Sequence, residues 1–270
     1  MADPTTALSR LLAIMDKLRD PGGCPWDREQ TLRTLTPYLL EEAHEVIEAI
    51  ESGDAVHHRE ELGDLLFQIV FQARIAREER QFDFADVCDA ISDKLTRRHP
   101  HVFADTVVSG SGEVIKNWER IKAEERKEKG QAARSAIGGV PLSLPALVRA
   151  ERLTEKASAV GFDWPDARAV LEKVREELGE LERELSGGGA RERVESELGD
   201  LLFALANLGR FVKVHPEEAL RGTLRRFEQR FHHIEERLQQ QGRTPRESTL
   251  TEMDGLWNEA KAIEASKSAL

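Results

Sequence analysis

The stretch ELGDLLF occupies residues 61–67 and returns, letter for letter, at residues 197–203. Its leucines and phenylalanine suit the core side of a helix, yet each copy also holds two acids and a glycine. At about 100° of rotation per residue, Glu61 and Asp64 fall about 60° apart on one helix face, as do Glu197 and Asp200. Leu62, Leu65, Leu66 and Ile69 fill the neighbouring arc, and Phe67, Val70 and Phe71 extend it. Gln68 and Gln72, and Asn207 in the second copy, fall back near the acid stripe. A helix that is apolar nearly all round is a buried helix, so both copies are expected in an interior. Gly63 and Gly199 each cost about 1 kcal/mol there, which close approach of another helix would explain.

Working outward, the two copies sit in a longer repeated order. Upstream, EEAHE (41–45) matches EELGE (176–180), both E-E-x-x-E. Downstream come basic pairs four apart, Lys94/Arg98 and Arg226/Arg230, and then Trp118/Lys122 and Trp257/Lys261, again four apart. Duplicated domains produce such long-period similarity. Helical spacing runs through the rest of the chain, and strand signals are weak. Helices are expected at about 8–20, 35–51, 56–79, 84–98, 113–129, 145–159, 166–185, 190–213, 216–240 and 249–265. The segment from Gly130 to Pro145 is rich in Gly, Ser and Pro. The expected architecture is all-α: an N-terminal helical domain (1–130), a linker (131–144) and a C-terminal helical domain (145–270).

Buried carboxylates need partners, because an unpaired buried charge costs several kcal/mol. Short turns join each E-E-x-x-E helix to the ELGDLLF helix, so the two should pack antiparallel. Glu42, Glu45, Glu61 and Asp64 would then converge, as would Glu177, Glu180, Glu197 and Asp200. Oxygen-only ligands suit Mg²⁺, with Mn²⁺ as a substitute, and Mg²⁺ readily takes phosphate oxygens as further ligands. Arg226, Arg230 and Lys261 would suit phosphates, and Trp257 could stack on a base. Read singly, each element has a plainer meaning: a solvated helix face, surface charge, a core tryptophan. Their recurrence in one order, twice, favours the metal site. The histidine groups His57-His58 and His232-His233 read as exposed, and His101 as structural.

Bulk properties bound the partners. The 270 residues are 40% hydrophobic and 33% charged, with a net charge of −11. That balance argues against a surface that coats nucleic acid. Cys24 and Cys88 are too few for a disulfide framework. No apolar run approaches the length of a membrane span and no signal peptide is evident, so a cytoplasmic protein is expected.

E-E-x-x-E followed some twenty residues later by E-x-x-D resembles the signature of the all-α nucleoside triphosphate pyrophosphohydrolases of the MazG family, in its two-domain bacterial form. KLRDPGGCPWD (17–27), TPYLLEEAHEV (36–46), ELGDLLFQIVF (61–71), RRHPHVFAD (97–105) and VGFDW (160–164) carry the likeness over nearly the whole chain. The resemblance implies Mg²⁺-dependent hydrolysis of nucleoside triphosphates to monophosphate and pyrophosphate, with broad base tolerance. It also implies a homodimer whose four-helix-bundle cores are completed across subunits. Carried over, Glu177, Glu180, Glu197 and Asp200 would hold Mg²⁺, with Glu176 or Glu177 taking a proton from water. Arg226, Arg230, Trp257 and Lys261 would hold the nucleotide, Arg226 standing where the family has lysine. Glu42, Glu45, Glu61 and Asp64, with Lys94, Arg98, Trp118 and Lys122, match the same pattern in the N-terminal half. The C-terminal half, matched more completely, is the expected site of turnover. The alternatives are a nucleotide-sensing interaction module with little hydrolysis, or a pyrophosphatase selective for dUTP, dCTP or damaged nucleotides.

Overall fold

Helical periodicity governs the chain throughout. The computed structural model describes residues 3–128 and 135–267, and these form twelve α-helices, one 3-10 turn and no strand. They divide into two compact units, Met1–Gly130 and Gln131–Leu270. No helix among the described residues is long and apolar enough to cross a membrane.

The first unit comprises α1 (Pro4–Arg19), α2 (Pro25–Glu29), α3 (Thr36–Ser52), α4 (Ala55–Glu78), α5 (Phe84–Arg98), α6 (Pro100–Phe103) and α7 (Ser111–Glu128). The α3–α4 pair is its frame. Gly53 ends α3 with φ +73°, a left-handed conformation that glycine adopts without a Cβ penalty. Asp54 then caps α4 by accepting from the Val56 and His57 amides at 2.8 and 3.2 Å. With only these two residues between them, α4 must fold back along α3. Helix α1 packs on the other side of α4, and Met15, Leu35, Val70, Phe71 and Ile75 form the core there. Arg74 ties the two helices by reaching Asp16 at 2.9 Å and Asp20 at 2.8 Å.

The second unit comprises α8 (Ala146–Ser158), α9 (Ala167–Ser186), α10 (Arg191–Val212), α11 (Pro216–Gln239) and α12 (Leu250–Lys267). Here α9 and α10 form the main pair, α8 packs on α10, and α11 on α12. Asp166 caps α9 through the Ala169 amide at 2.9 Å. The helices expected from periodicity end within a few residues of the observed ones. The periodicity did not reveal α2 and α6, of five and four residues, because neither spans two turns. Pro100 both ends α5 and opens α6, its ring suiting a first helical position.

One expectation is corrected. The ELGDLLF helices are not buried all round within the chain. Leu62, Leu66 and Ile69 of α4 are exposed, and so are Leu198, Leu202 and Leu205 of α10. These residues are spaced by four and three, so each set forms one stripe along its helix. Leu171, Leu178 and Leu185 make another stripe on α9, and Leu220, Leu224, Phe227 and Phe231 one on α11. The helix glycines follow suit: a Cβ on Gly63 or Gly199 would meet nothing within 4 Å, so no helix of this chain requires them.

Candidate functional site

Within each unit the paired helices bring carboxylates from different helices to one place. In the first, oxygens of Glu42 on α3 and of Glu61 and Asp64 on α4 all lie within 4.8 Å of one another. In the second, Glu177 on α9 and Glu197 and Asp200 on α10 do the same. Glu45 adjoins the first trio, close enough to help raise the pKa of Glu42. Glu180 lies close enough to raise the pKa of Glu197, but its carboxylate is held by Arg183 at 3.0 Å.

The electrostatics are those of crowded anions. Glu42 is held above the usual carboxylate range, first by burial and then by repulsion from Asp64, Glu45 and Glu61. Glu197 is raised too, again by burial first and then by Glu180, Asp200 and Glu177. The groups that face the acids differ between units. His57 Nε2 lies 3.0 Å from Glu61 Oε1. In the second unit Lys173 Nζ lies 2.6 Å from Glu177 and 2.9 Å from Glu176, and these two carboxylates raise its own pKa. Among the described residues no histidine or cysteine joins either trio. An all-oxygen donor set of crowded carboxylates fits a hard divalent cation such as Mg²⁺ or Mn²⁺.

Among the described residues, a sizeable cavity is found at the second trio. Glu177 and Asp200 line a space of about 700 Å³, together with Lys173. The same walls include Phe162, Asp163, Trp164, Phe203, Asn207 and Arg210. Counting from the shared ELGDLLF motif explains the contrast. Four and seven residues past the motif aspartate, α10 carries Ala204 and Asn207, which line the cavity, whereas α4 carries Gln68 and Phe71, both buried. Likewise Val70 stands where α10 has Ala206. Leu35 precedes the first E-E-x-x-E helix acids as Val170 precedes the second. At each position the first unit has the larger side chain. Phe71 and Leu35, 0% and 1% exposed, are core.

The basic and aromatic residues expected to hold nucleotide lie outside the lining of this cavity. Arg230 donates to Glu264 at 2.7 Å with its guanidinium 5.3 Å from the Trp257 ring centre. Arg98 donates to Glu125 at 2.5 Å and lies 5.2 Å from Trp118. These arginines thereby clasp α11 to α12 and α5 to α7, and they hold Glu264 and Glu125 below the usual range, Glu125 at about 2. Arg226, Lys261 and Lys94 are exposed, and Lys122 is half-buried. None of the eight lines the cavity. Sequence reasoning missed Glu125 and Glu264, although each follows its tryptophan by seven residues. It also missed Lys173, whose signal is a lysine one helical turn before Glu177.

Comparison with known proteins bears on this geometry. Residues 30–103 match the MazG nucleotide pyrophosphohydrolase domain. The nucleoside triphosphate pyrophosphohydrolase of Escherichia coli K12 is 47% identical over 259 residues, spanning 95% of this chain and 98% of its own length. The chain belongs to the MazG family. Within that hydrolase family it is also 46% identical to the Thermotoga maritima nucleoside triphosphate pyrophosphohydrolase/pyrophosphatase MazG, over 97% of this chain and 98% of that protein. The Bacillus subtilis protein YabN is 44% identical over 95% of this chain, which spans 52% of YabN. The MazG domain match begins before α3 and ends with α6, so it includes the Glu42–Glu61–Asp64 trio.

If the trios are cation sites, the full-length protein should take up Mn²⁺ in a calorimetric titration. The variant Glu61→Gln/Asp64→Asn/Glu197→Gln/Asp200→Asn should take up none at unchanged helicity. Equal heats from both proteins would contradict the assignment.

Proposed function

We propose that the protein hydrolyses nucleoside triphosphates between the α- and β-phosphates, giving monophosphate and pyrophosphate, and that the second unit does the work. The observation that carries this reading is the meeting of an acid trio, a lysine and an aromatic-walled cavity on α9 and α10. Family membership supplies the reaction class. Glu177, Glu197 and Asp200 would hold Mg²⁺, which supplies Lewis-acid polarisation of the α-phosphate and a lowered pKa for bound water. Lys173, 2.6 Å from Glu177 and in the cavity wall, would donate to the negative charge of the phosphates. Glu176, adjacent to the trio but outside it, would accept the proton of the attacking water. The cavity has room for the nucleoside, with Phe162 and Trp164 as flat surfaces for a base.

The first unit keeps its acids but has filled the matching space with Phe71, Gln68 and Leu35. We read it as a cation-binding scaffold with little turnover. A homodimer completes the account. The apolar stripes on α9, α10 and α11 are the surface such a dimer would bury. Arg226 and Lys261, exposed and away from the cavity walls, would then act on substrate held by the other subunit. Cleaning of the nucleotide pool, in a cytoplasmic setting, is the role that suits this activity.

Two outcomes test the reading. With Mg²⁺ in H₂¹⁸O, the label should appear in the nucleoside monophosphate and not in pyrophosphate, with no reaction in EDTA; label in orthophosphate would mean a different bond is cut. Leu198→Glu/Leu202→Glu should sediment at the protomer mass while the unmodified protein sediments at twice it. A protomer mass for the unmodified protein would remove the dimer.

A further inference from the structure

Resting on the reading of the second-unit cavity as the nucleotide site, we propose that Asn207 and Asp163 select the base, favouring those that pair a ring N–H with an adjacent carbonyl. Guanine and uracil carry that edge. Adenine and cytosine carry its inverse, an amino donor beside a ring-nitrogen acceptor.

The orientation of Asn207 carries the argument. Its side-chain oxygen accepts from Arg210 Nε at 3.3 Å and from Arg210 Nη2 at 3.1 Å. Arginine has donors only, so the amide cannot flip without losing both bonds. The amide nitrogen is thereby left as a pure donor on a residue that is 6% exposed and lines the cavity. A substrate carbonyl in the cavity would accept from that N–H. Arg210 also grips Asp163, with Nη1 3.0 Å from Oδ2 and Nη2 on Oδ1. That grip keeps Asp163 ionised, as an acceptor in the same wall. One guanidinium therefore fixes the orientation of a donor and an acceptor that line the same cavity, the two functions a lactam edge requires.

The spacing along α10 places this pair where a base belongs. Asn207 follows Asp200 by seven residues, which is two turns on the same face and about 10 Å along the axis. That is the reach of a nucleoside from its α-phosphate to the far edge of its base. Ala204, one turn beyond Asp200, leaves the intervening space open. In the first unit Arg74 stands at the position of Arg210, but Phe71 replaces the asparagine, and Arg74 is spent on Asp16, Asp20 and Glu78. The reading pair exists only beside the cavity.

Steady-state turnover of GTP, UTP, ATP and CTP by the full-length protein with Mg²⁺ tests the proposal, alongside binding of their non-hydrolysable α,β-methylene analogues. GTP and UTP should exceed ATP and CTP in kcat/KM by roughly tenfold, the worth of about one hydrogen bond made or lost. O6-methyl-GTP, which lacks both the carbonyl and the ring N–H, should fall to the level of ATP without any change to the protein. Asn207→Asp keeps an oxygen for Arg210 and turns the remaining donor into an acceptor while Asp163 stays one. Each base then makes one match and one clash, and the preference should vanish at retained turnover, which loss of folding would not do. Equal kcat/KM for all four, O6-methyl-GTP turned over like GTP, or an unchanged ranking in Asn207→Asp would each overturn the proposal and leave pyrophosphohydrolysis standing. If no triphosphate is turned over yet the analogues bind in the expected order, the hydrolytic reading falls and base selection stands. Equal binding of the analogues in that case overturns base selection too.

Discussion

Three carboxylates held within 4.8 Å of one another are the constraint on which the rest of the structure depends. Anions this close repel, and the pKa values of Glu42 and Glu197 are raised by burial first and by this repulsion second. Folding pays it because the two helices of each pair are locked by other means. In the first unit, Gly53 and the Asp54 cap force α4 back along α3, and the core on the far side of α4 holds it there. In the second, the α9–α10 pair is backed by α8. A charge cluster that the fold sustains against repulsion is arranged to receive a cation.

The two units answer one frame with different fillings. Where the first places Phe71, Gln68, Val70 and Leu35, the second places Asn207, Ala204, Ala206 and Val170. Larger apolar side chains make the first a packed core, and smaller or polar ones leave the second a cavity of about 700 Å³. Stability and binding thus draw on the same positions. The second unit has few large buried side chains of its own, chiefly Val170, Ile234 and Leu238. It also carries the broader exposed stripes, on α9, α10 and α11. A unit that gives up core volume to a substrate site gains by burying its outer face against another chain.

The helices were legible in the sequence because a 3.6-residue period repeats over many turns, and the acids because E-E-x-x-E and E-x-x-D each put two carboxylates on one face. Burial was misjudged for the ELGDLLF helices. An all-round apolar pattern says that a helix is covered, but not whether the cover comes from the same chain, and Leu62, Leu66, Leu198 and Leu202 are open in this one. The cavity was illegible for another reason. Lys173, Asp163, Asn207 and Arg210 sit on α9, on α10 and in the segment between α8 and α9, and no single spacing links them. Glu264, seven residues past Trp257, was illegible in the same way, as the ion-pair partner that holds Arg230 beside the tryptophan.

The central claim is that one trio turns over substrate and the other does not, because only one is backed by space for a nucleoside. Turnover by two full-length variants tests it most directly, Glu61→Gln/Asp64→Asn against Glu197→Gln/Asp200→Asn, with helicity and mass checked for each. The account predicts that the first keeps most of its activity with GTP and Mg²⁺ while the second loses it by at least about a hundredfold, as loss of a catalytic metal requires. Full activity in the second variant, or loss in the first alone, would contradict it.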